Sequence, residues 1–535
     1  MAKRKNKNQA PSAPAAPIPM PPNPYIISPR ADLLLIIGAV ILCPALLLPA
    51  AALTSPYTVW LIVMTFAAVG HHFPSFLRTY GDREVFQTYR TRLLVAPILL
   101  FSVTLAFSLN GLHGMLLVSF CWAIWHGMMQ HFGFMRIYDA KVRSVDRTTS
   151  RLDWWISFSW FGLALALSPN QGGSLLHALY ESGIPIVPLV YIDLVRHALI
   201  TLTVAVTVLY IGHAIRGKHP RSWMKLGLLV GTCGYVYLVR VITKDPFLSV
   251  ALFELLHGIQ YLAIVWAFNR HRVEKGSVNV LVRFFYRPSI ASISFYVGAC
   301  LLYGGLAFVV FTQVEAGMVK SVLEAFLITS GLLHFYYDGF IWKLRQTSTQ
   351  SGLGLADKKD NEPSFQPPLW RGATHVAIIV VLAMTLARFE LQGRDMDPFE
   401  RAQAIVEAVP NNPTSLNNLA VLLLERGEYD EAIDLLRRAI AIQPGLNEAR
   451  EALSDALAVL SVARLSEMRV EEAIRLRREA IAVEPDSAER HNDLGVLLAQ
   501  TGNLDEAWYL FRRVLDIDPN HQLAVQNLQA IESIR

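Results

Sequence analysis

Charge and cysteine are scarce in this 535-residue chain. Asp, Glu, Lys and Arg make up only 17% of it, against 53% hydrophobic residues, and the mean hydropathy is +0.35. That balance excludes a disordered chain and a wholly soluble one, and the length exceeds one ordinary globular domain. The four cysteines, Cys43, Cys121, Cys233 and Cys300, fall inside apolar runs with no C-x-x-C spacing. They exclude a disulfide framework or a cysteine zinc site and read as small buried hydrophobes. Lysine is absent from Gln392 onward, where 15 Arg face 25 Asp and Glu for a net charge of −10, leaving +15 for residues 1–391. The acidic C-terminal part and the clustered basic residues elsewhere exclude nucleic acid as the expected partner. No P-loop, G-x-G-x-x-G or G-x-S-x-G element occurs.

What the chain does have is long apolar runs. Residues 1–31 form a Lys-, Arg- and Pro-rich stretch expected to be a disordered tail, and the apolar run after it is long enough to stay in a bilayer rather than serve as a signal peptide. A hydrocarbon layer about 30 Å thick needs roughly 20 apolar residues per helix. Eleven runs approach that length, at 32–54, 57–77, 93–110, 114–135, 153–169, 188–215, 223–242, 247–268, 289–312, 318–342 and 371–389. Basic residues alternate with them: clusters at 78–92, 136–151, 216–225, 270–287 and 343–359 lie on one side, and the other side carries only Lys244. By the positive-inside rule the N-terminus and the basic connections are cytoplasmic, and the chain beyond the eleventh run lies outside. A bacterial inner membrane is the expected location.

From 397 to 535 the sequence repeats every 34 residues, at 413–446, 454–487 and 488–521. The first window places Leu419, Ala420, Gly427, Tyr429, Ala432, Ala439 and Pro444, and the third Leu494, Gly495, Gly502, Ala507, Phe511 and Pro519, at matching positions. The pattern resembles the tetratricopeptide repeat family, which implies an α-solenoid of antiparallel helix pairs. The middle window departs from it, with Ser461 and Met468 where small residues are usual and seven extra residues, Asn447 to Leu453, ahead of it. Its first helix is expected to be two turns longer. The resemblance implies a protein or peptide partner on the concave face, and the final segment reads as a cap helix.

Ionisable residues inside apolar runs point to function by default. His71, His72, His126, His131, His257 and His334 all lie in helices of one direction. Counted back from the first following basic residue at 1.5 Å per residue, they share one layer roughly 8 to 20 Å from the cytoplasmic boundary. Glu254 and Tyr261 accompany His257 at helical spacing, as Asp338 accompanies His334 and Gln130 accompanies His126. His213 is a further candidate. Imidazoles with a few carboxylates are ligands for transition metals, and Glu254-x-x-His257 has the spacing by which carboxylate–histidine bundles hold iron.

These features predict an all-α protein, a polytopic membrane domain followed by a tetratricopeptide-repeat array. The expected metal ligands are His71, His72, His126, His131, His257 and His334, with Glu254, Tyr261 and Asp338 as catalytic groups. The membrane part is similar, loosely, to histidine-rich polytopic membrane oxygenases, hydroxylases and desaturases, although the desaturase histidine boxes are absent. That resemblance implies a metal ion such as iron, a lipidic substrate and a separate electron donor. Two alternatives stay open: a proton-coupled transporter or channel using the same layer, and a membrane-anchored repeat scaffold for complex assembly. Lipid-carrier glycosyl transfer is disfavoured because the first outer loop carries no Asp or Glu.

Overall fold

Proline preceded by a polar residue starts many of the helices. Ser55, Ser168, Asp245 and Asn412 each accept a backbone N–H three residues on, from Thr58, Gln171, Leu248 and Ser415, and each is followed by Pro at the first helical position. The cap satisfies a donor that the helix cannot, and Pro gives up one that would be orphaned. The computed structural model describes residues 23–144, 146–216, 222–276, 280–343, 347–355, 369–393 and 396–534. Residues 1–22 of the expected tail lie outside them. No strand occurs among the described residues.

The N-terminal part begins with a bent pair, α1 (Pro29–Ile37) and α2 (Ala39–Leu53), set 54° apart. It continues through α3 (Pro56–Gly81), α4 (Arg83–Leu109), α5 (Gly114–Lys141), α6 (Arg147–Leu167), α7 (Pro169–Glu181) and α8 (Leu189–Arg216). Then come α9 (Trp223–Ile242), α10 (Pro246–Glu274), the short α11 (Val280–Tyr286), α12 (Ile290–Gln313), α13 (Met318–Ile341), the short α14 (Thr347–Gly352) and α15 (Leu369–Gly393). Each of the eleven apolar runs is helical. Among the described residues seven of these helices are long and apolar enough to cross a membrane, and eight if the bent pair is one span. Helices α5, α6 and α15 fall outside that set; α5 carries His126, Gln130 and His131, and α6 carries Asp153, polar groups that lower their hydropathy.

Helix α10 is 61% buried over its apolar window and runs through the centre, whereas α8, at 11%, is peripheral. Small residues allow the closest crossings: a Cβ at Gly70 would lie 2.9 Å from the Cys300 carbonyl oxygen, and one at Gly127 2.8 Å from the Phe253 ring. Close backbone approach brings more atoms of the two helices into van der Waals contact. Of the four cysteines, Cys43, Cys233 and Cys300 are buried as expected, but Cys121 is exposed. At their basic ends α5, α6 and α9 are joined by a closed charge network. Arg136 donates to Asp139 (2.7 Å) and Asp153 (3.0 Å), and Lys225 donates to both carboxylates at 2.8 Å. Two cations and two anions compensate each other where neither could be buried alone.

The C-terminal part is an α-solenoid: α16 (Pro398–Ala408), then the pairs α17/α18 (Pro413–Glu425, Tyr429–Ile442), α19/α20 (Asn447–Ser466, Val470–Val483) and α21/α22 (Ala488–Gln500, Leu504–Ile517), closed by α23 (Gln522–Ile534). Helix α19 has 20 residues where α17 and α21 have 13. The surplus is two turns. Gly427 and Gly502 turn the first and third pairs with φ of 79° and 87°, and Met468 adopts φ 62° at the same place in the second.

The segment between α6 and α8, expected as a loop, contains α7, and the solenoid docks on it. Leu176 and Tyr180 pack with Ile405, Ala408 and Val409. Asn412 Nδ2 donates to the Pro169 carbonyl (2.9 Å), Arg196 Nη2 to the Ala408 carbonyl (2.6 Å), and Gln443 Nε2 to Asp245 (3.2 Å). The solenoid therefore sits against connections poor in basic residues, away from the Arg136–Lys225 network.

Candidate metal centre

Four helices bring one imidazole each to a common point. His71 (α3), His126 (α5), His257 (α10) and His334 (α13) are buried, and each offers a ring nitrogen within 4.8 Å of the others. The wide π turn Val63–Val69 and Gly70 precede His71. Such turns shift helical register by about one residue and recur at functional sites. Here the turn leaves His71 Nδ1 donating to the Ala67 carbonyl at 3.0 Å. With that proton on Nδ1, the Nε2 lone pair of a neutral ring is free, and it points to His334 Nε2 at 3.1 Å.

The donor set fits a metal ion. His71 and His334 Nε2 are 3.1 Å apart, near the roughly 3.3 Å edge of a tetrahedral nitrogen site, and the four nitrogens together lie within 4.8 Å of one another. His126 Nε2 is buried without a hydrogen-bond partner, a costly state for a lone pair or an N–H in a protein interior. An ion held between the rings would satisfy it. No thiolate is present in the set, so the site offers borderline nitrogen ligands suited to iron, copper, zinc or nickel.

Asp338, one turn beyond His334, is the carboxylate of the site. Its Oδ1 accepts from Tyr261 Oη at 3.0 Å and Ser75 Oγ at 3.1 Å. Its Oδ2 lies 4.0 Å from His126 Nε2 and 3.9 Å from His334 Nε2. The two donors orient the carboxylate, leaving Oδ2 turned to the imidazoles as an outer-shell anion. The Tyr261 ring stands 5.1 Å from that of His334 and 5.3 Å from that of His71.

The remaining expected residues fall elsewhere. His72 stacks on His334 with ring centroids 4.7 Å apart, and its Nδ1 meets Ser330 Oγ at 3.0 Å; it supports a ligand and is outside the four. His131 lies against Phe161, 5.8 Å between centroids, away from the cluster, with neither ring nitrogen bonded. Glu254 is outside the set of residues whose ligand atoms converge. Gln130 donates to the His257 carbonyl at 3.1 Å, and His213 pairs with Thr149 Oγ1 at 3.0 Å, outside the layer. Ser75 and Ser330 were not foreseen. Ser75 lies four residues after His71, and that helical spacing is the signal that could have found it.

Profiles of the tetratricopeptide repeat family match residues 414–443 and 460–521. The C-terminal part is a tetratricopeptide-repeat domain, a fold that binds protein or peptide partners. Among solved structures the chain is similar to a crystal structure of MamA protein, at 21% identity over 25% of this chain and 70% of that one, with a TM-score of 0.21. It is also similar to YrrB, described as a tetratricopeptide-repeat protein with an unusual peptide-binding site, at 18% identity over 30% of this chain and 74% of that one, with a TM-score of 0.20. No curated protein matches the chain.

Proposed function

We propose that the protein is a multi-pass membrane metalloenzyme that oxidises a lipidic substrate near the cytoplasmic leaflet and recruits a protein partner through its repeats. The observation that carries this reading is the convergence of His71, His126, His257 and His334 in a buried site with one oriented carboxylate. Iron is the first candidate, and when bound it would supply the redox chemistry with dioxygen as oxidant and a separate protein as electron donor. His71, His126, His257 and His334 would hold the ion, Ser330 and His72 would brace His334, and Tyr261 and Ser75 would orient Asp338 beside the rings. The apolar shell around them would exclude water and admit a hydrocarbon chain. In this reading the basic connections face the cytoplasm of a bacterial cell, and the repeats, docked on α7, lie on the other side.

Metal analysis of the full-length protein, purified anaerobically, tests the reading. One or two transition-metal ions per chain are expected, falling sharply in His257→Ala and His334→Ala and staying near wild type in His131→Ala. A metal-free wild type would overturn it. A second reading, a proton-coupled transporter or channel, is favoured by Glu254 and Asp338 on the helices that carry His257 and His334. Solute flux that depends on these residues in metal-free protein would select it.

A further inference from the structure

Arg78 is an unfinished ion pair. Its guanidinium is 3% exposed and lies between two aromatic faces, 4.0 Å from the Phe268 centroid and 3.9 Å from that of Trp342. Only Nη2 has an acceptor, the Ile341 carbonyl at 2.8 Å, while Nε and Nη1 are buried without partners. The rings cover the faces of the cation but cannot accept its in-plane N–H groups. Whichever Nη2 hydrogen the Ile341 carbonyl takes, one two-pronged edge of the fork stays open. That edge is the geometry that matches a carboxylate.

The charge count agrees. The nearby carboxylates whose charge acts on Arg78 are Asp82 and Asp338, and neither is ion-paired with it. Asp82 is paired with Arg272, and Asp338 is turned to the imidazoles and held by Tyr261 and Ser75. With both carboxylates engaged elsewhere, Arg78 has no anion of its own. It follows His71 by seven residues on α3, so it shares that face about 10 Å nearer the basic side.

We infer that Arg78 is the anchor for the carboxylate of an amphiphilic, fatty-acid-like ligand that enters from the cytoplasmic leaflet. The inference rests on the metalloenzyme reading for the ligand's role as substrate, but not for its binding. Phe268 and Trp342 would flank the head group, and its chain would lie along the apolar core. A carboxylate on a lipid chain is favoured over a free small carboxylate because both ring walls and the surrounding helices are apolar.

The test is calorimetric titration of the detergent-purified full-length protein with dodecanoate, methyl dodecanoate and acetate. Dodecanoate should bind wild type at least roughly tenfold more tightly than its methyl ester, the worth of a charge-assisted hydrogen-bonded pair. Arg78→Gln should lose that preference and Arg78→Lys should keep part of it. His257→Ala should lose metal yet bind dodecanoate as wild type does, which separates this inference from the metal reading. Equal affinity for acid and ester, or an Arg78→Gln protein that still prefers the acid, would overturn the inference. Acetate binding as tightly as dodecanoate would overturn the lipid assignment. If Arg78→Gln fails to fold, the carboxylate signal of carbon-13-labelled dodecanoate on wild type decides: a bound carboxylate that stays ionised at a pH where free dodecanoate is protonated supports the ion pair, and one that titrates with the free acid overturns it.

Discussion

Gly127 sits next to His126 on α5, where α5 crosses α10, and replacing it by alanine should loosen the four-histidine site without touching a ligand. The added Cβ would stand 2.8 Å from Phe253 Cζ and 3.3 Å from Cε1, so the ring must yield by roughly half an ångström. The ring has little freedom to do so. Phe161 lies 6.4 Å away at 77°, the Arg240 guanidinium is 4.4 Å over one face, and the His257 ring is parallel to it within 9°. The strain should pass to α10 and separate His257 from His126. Metal sites tolerate departures of only about 0.2 Å in ligand distance, so metal content should fall while stability drops by about 1 to 3 kcal/mol from overpacking. Gly339 on α13, with nothing within 4 Å of its would-be Cβ, supplies the control, since Gly339→Ala should keep metal and stability. Metal stoichiometry and thermal unfolding read both variants. A Gly127→Ala protein with wild-type metal content and melting temperature would refute the reasoning.

Three further outcomes are expected. Met468→Gly should stabilise the second repeat by about 0.5 to 1 kcal/mol, because a side chain at φ 62° is strained where Gly427 and Gly502 are not; a denaturant midpoint for the repeats that moves downward would contradict this. Ala507→Trp should raise hydrogen exchange across α21 and α22 and leave the membrane helices unchanged, since Ala507 is fully buried and overpacking costs roughly 1 to 3 kcal/mol. A topology reporter fused after Arg535 should be active only outside the cytoplasm, and cytoplasmic activity would mean that one span fewer or one more crosses.

The linear pattern was enough for the elements. Apolar runs bounded by basic clusters became the helices of the N-terminal part, and the spacing of Gly427, Ala432 and Pro444 became the helix pair α17/α18, because both signals are local and repeat with the helical period. Even the long α19 was legible, as seven surplus residues. The membership of the site was only half legible. Counting residues gives depth along a helix axis, and it placed all six histidines in one layer; which way each points depends on how its helix is rotated against its neighbours. His71 and His72 are about 100° apart around α3, and His126 and His131 about 140° apart around α5, so both of a pair do not point at one centre: His72 lies on the flank of His334 and His131 against Phe161. The π turn before His71 and the crossing of Gly127 on Phe253 select His71 and His126. Glu254 shows the same limit: its spacing to His257 is right for a shared ligand, yet it stays outside the converging set. The docking of the repeats on α7 also belongs to the tertiary structure, since Asn412 and Pro169 or Arg196 and Ala408 carry no mark in the sequence of the partner they meet. Short-range periodicity is written residue by residue, whereas azimuth and long-range pairing arise only when several helices pack at once.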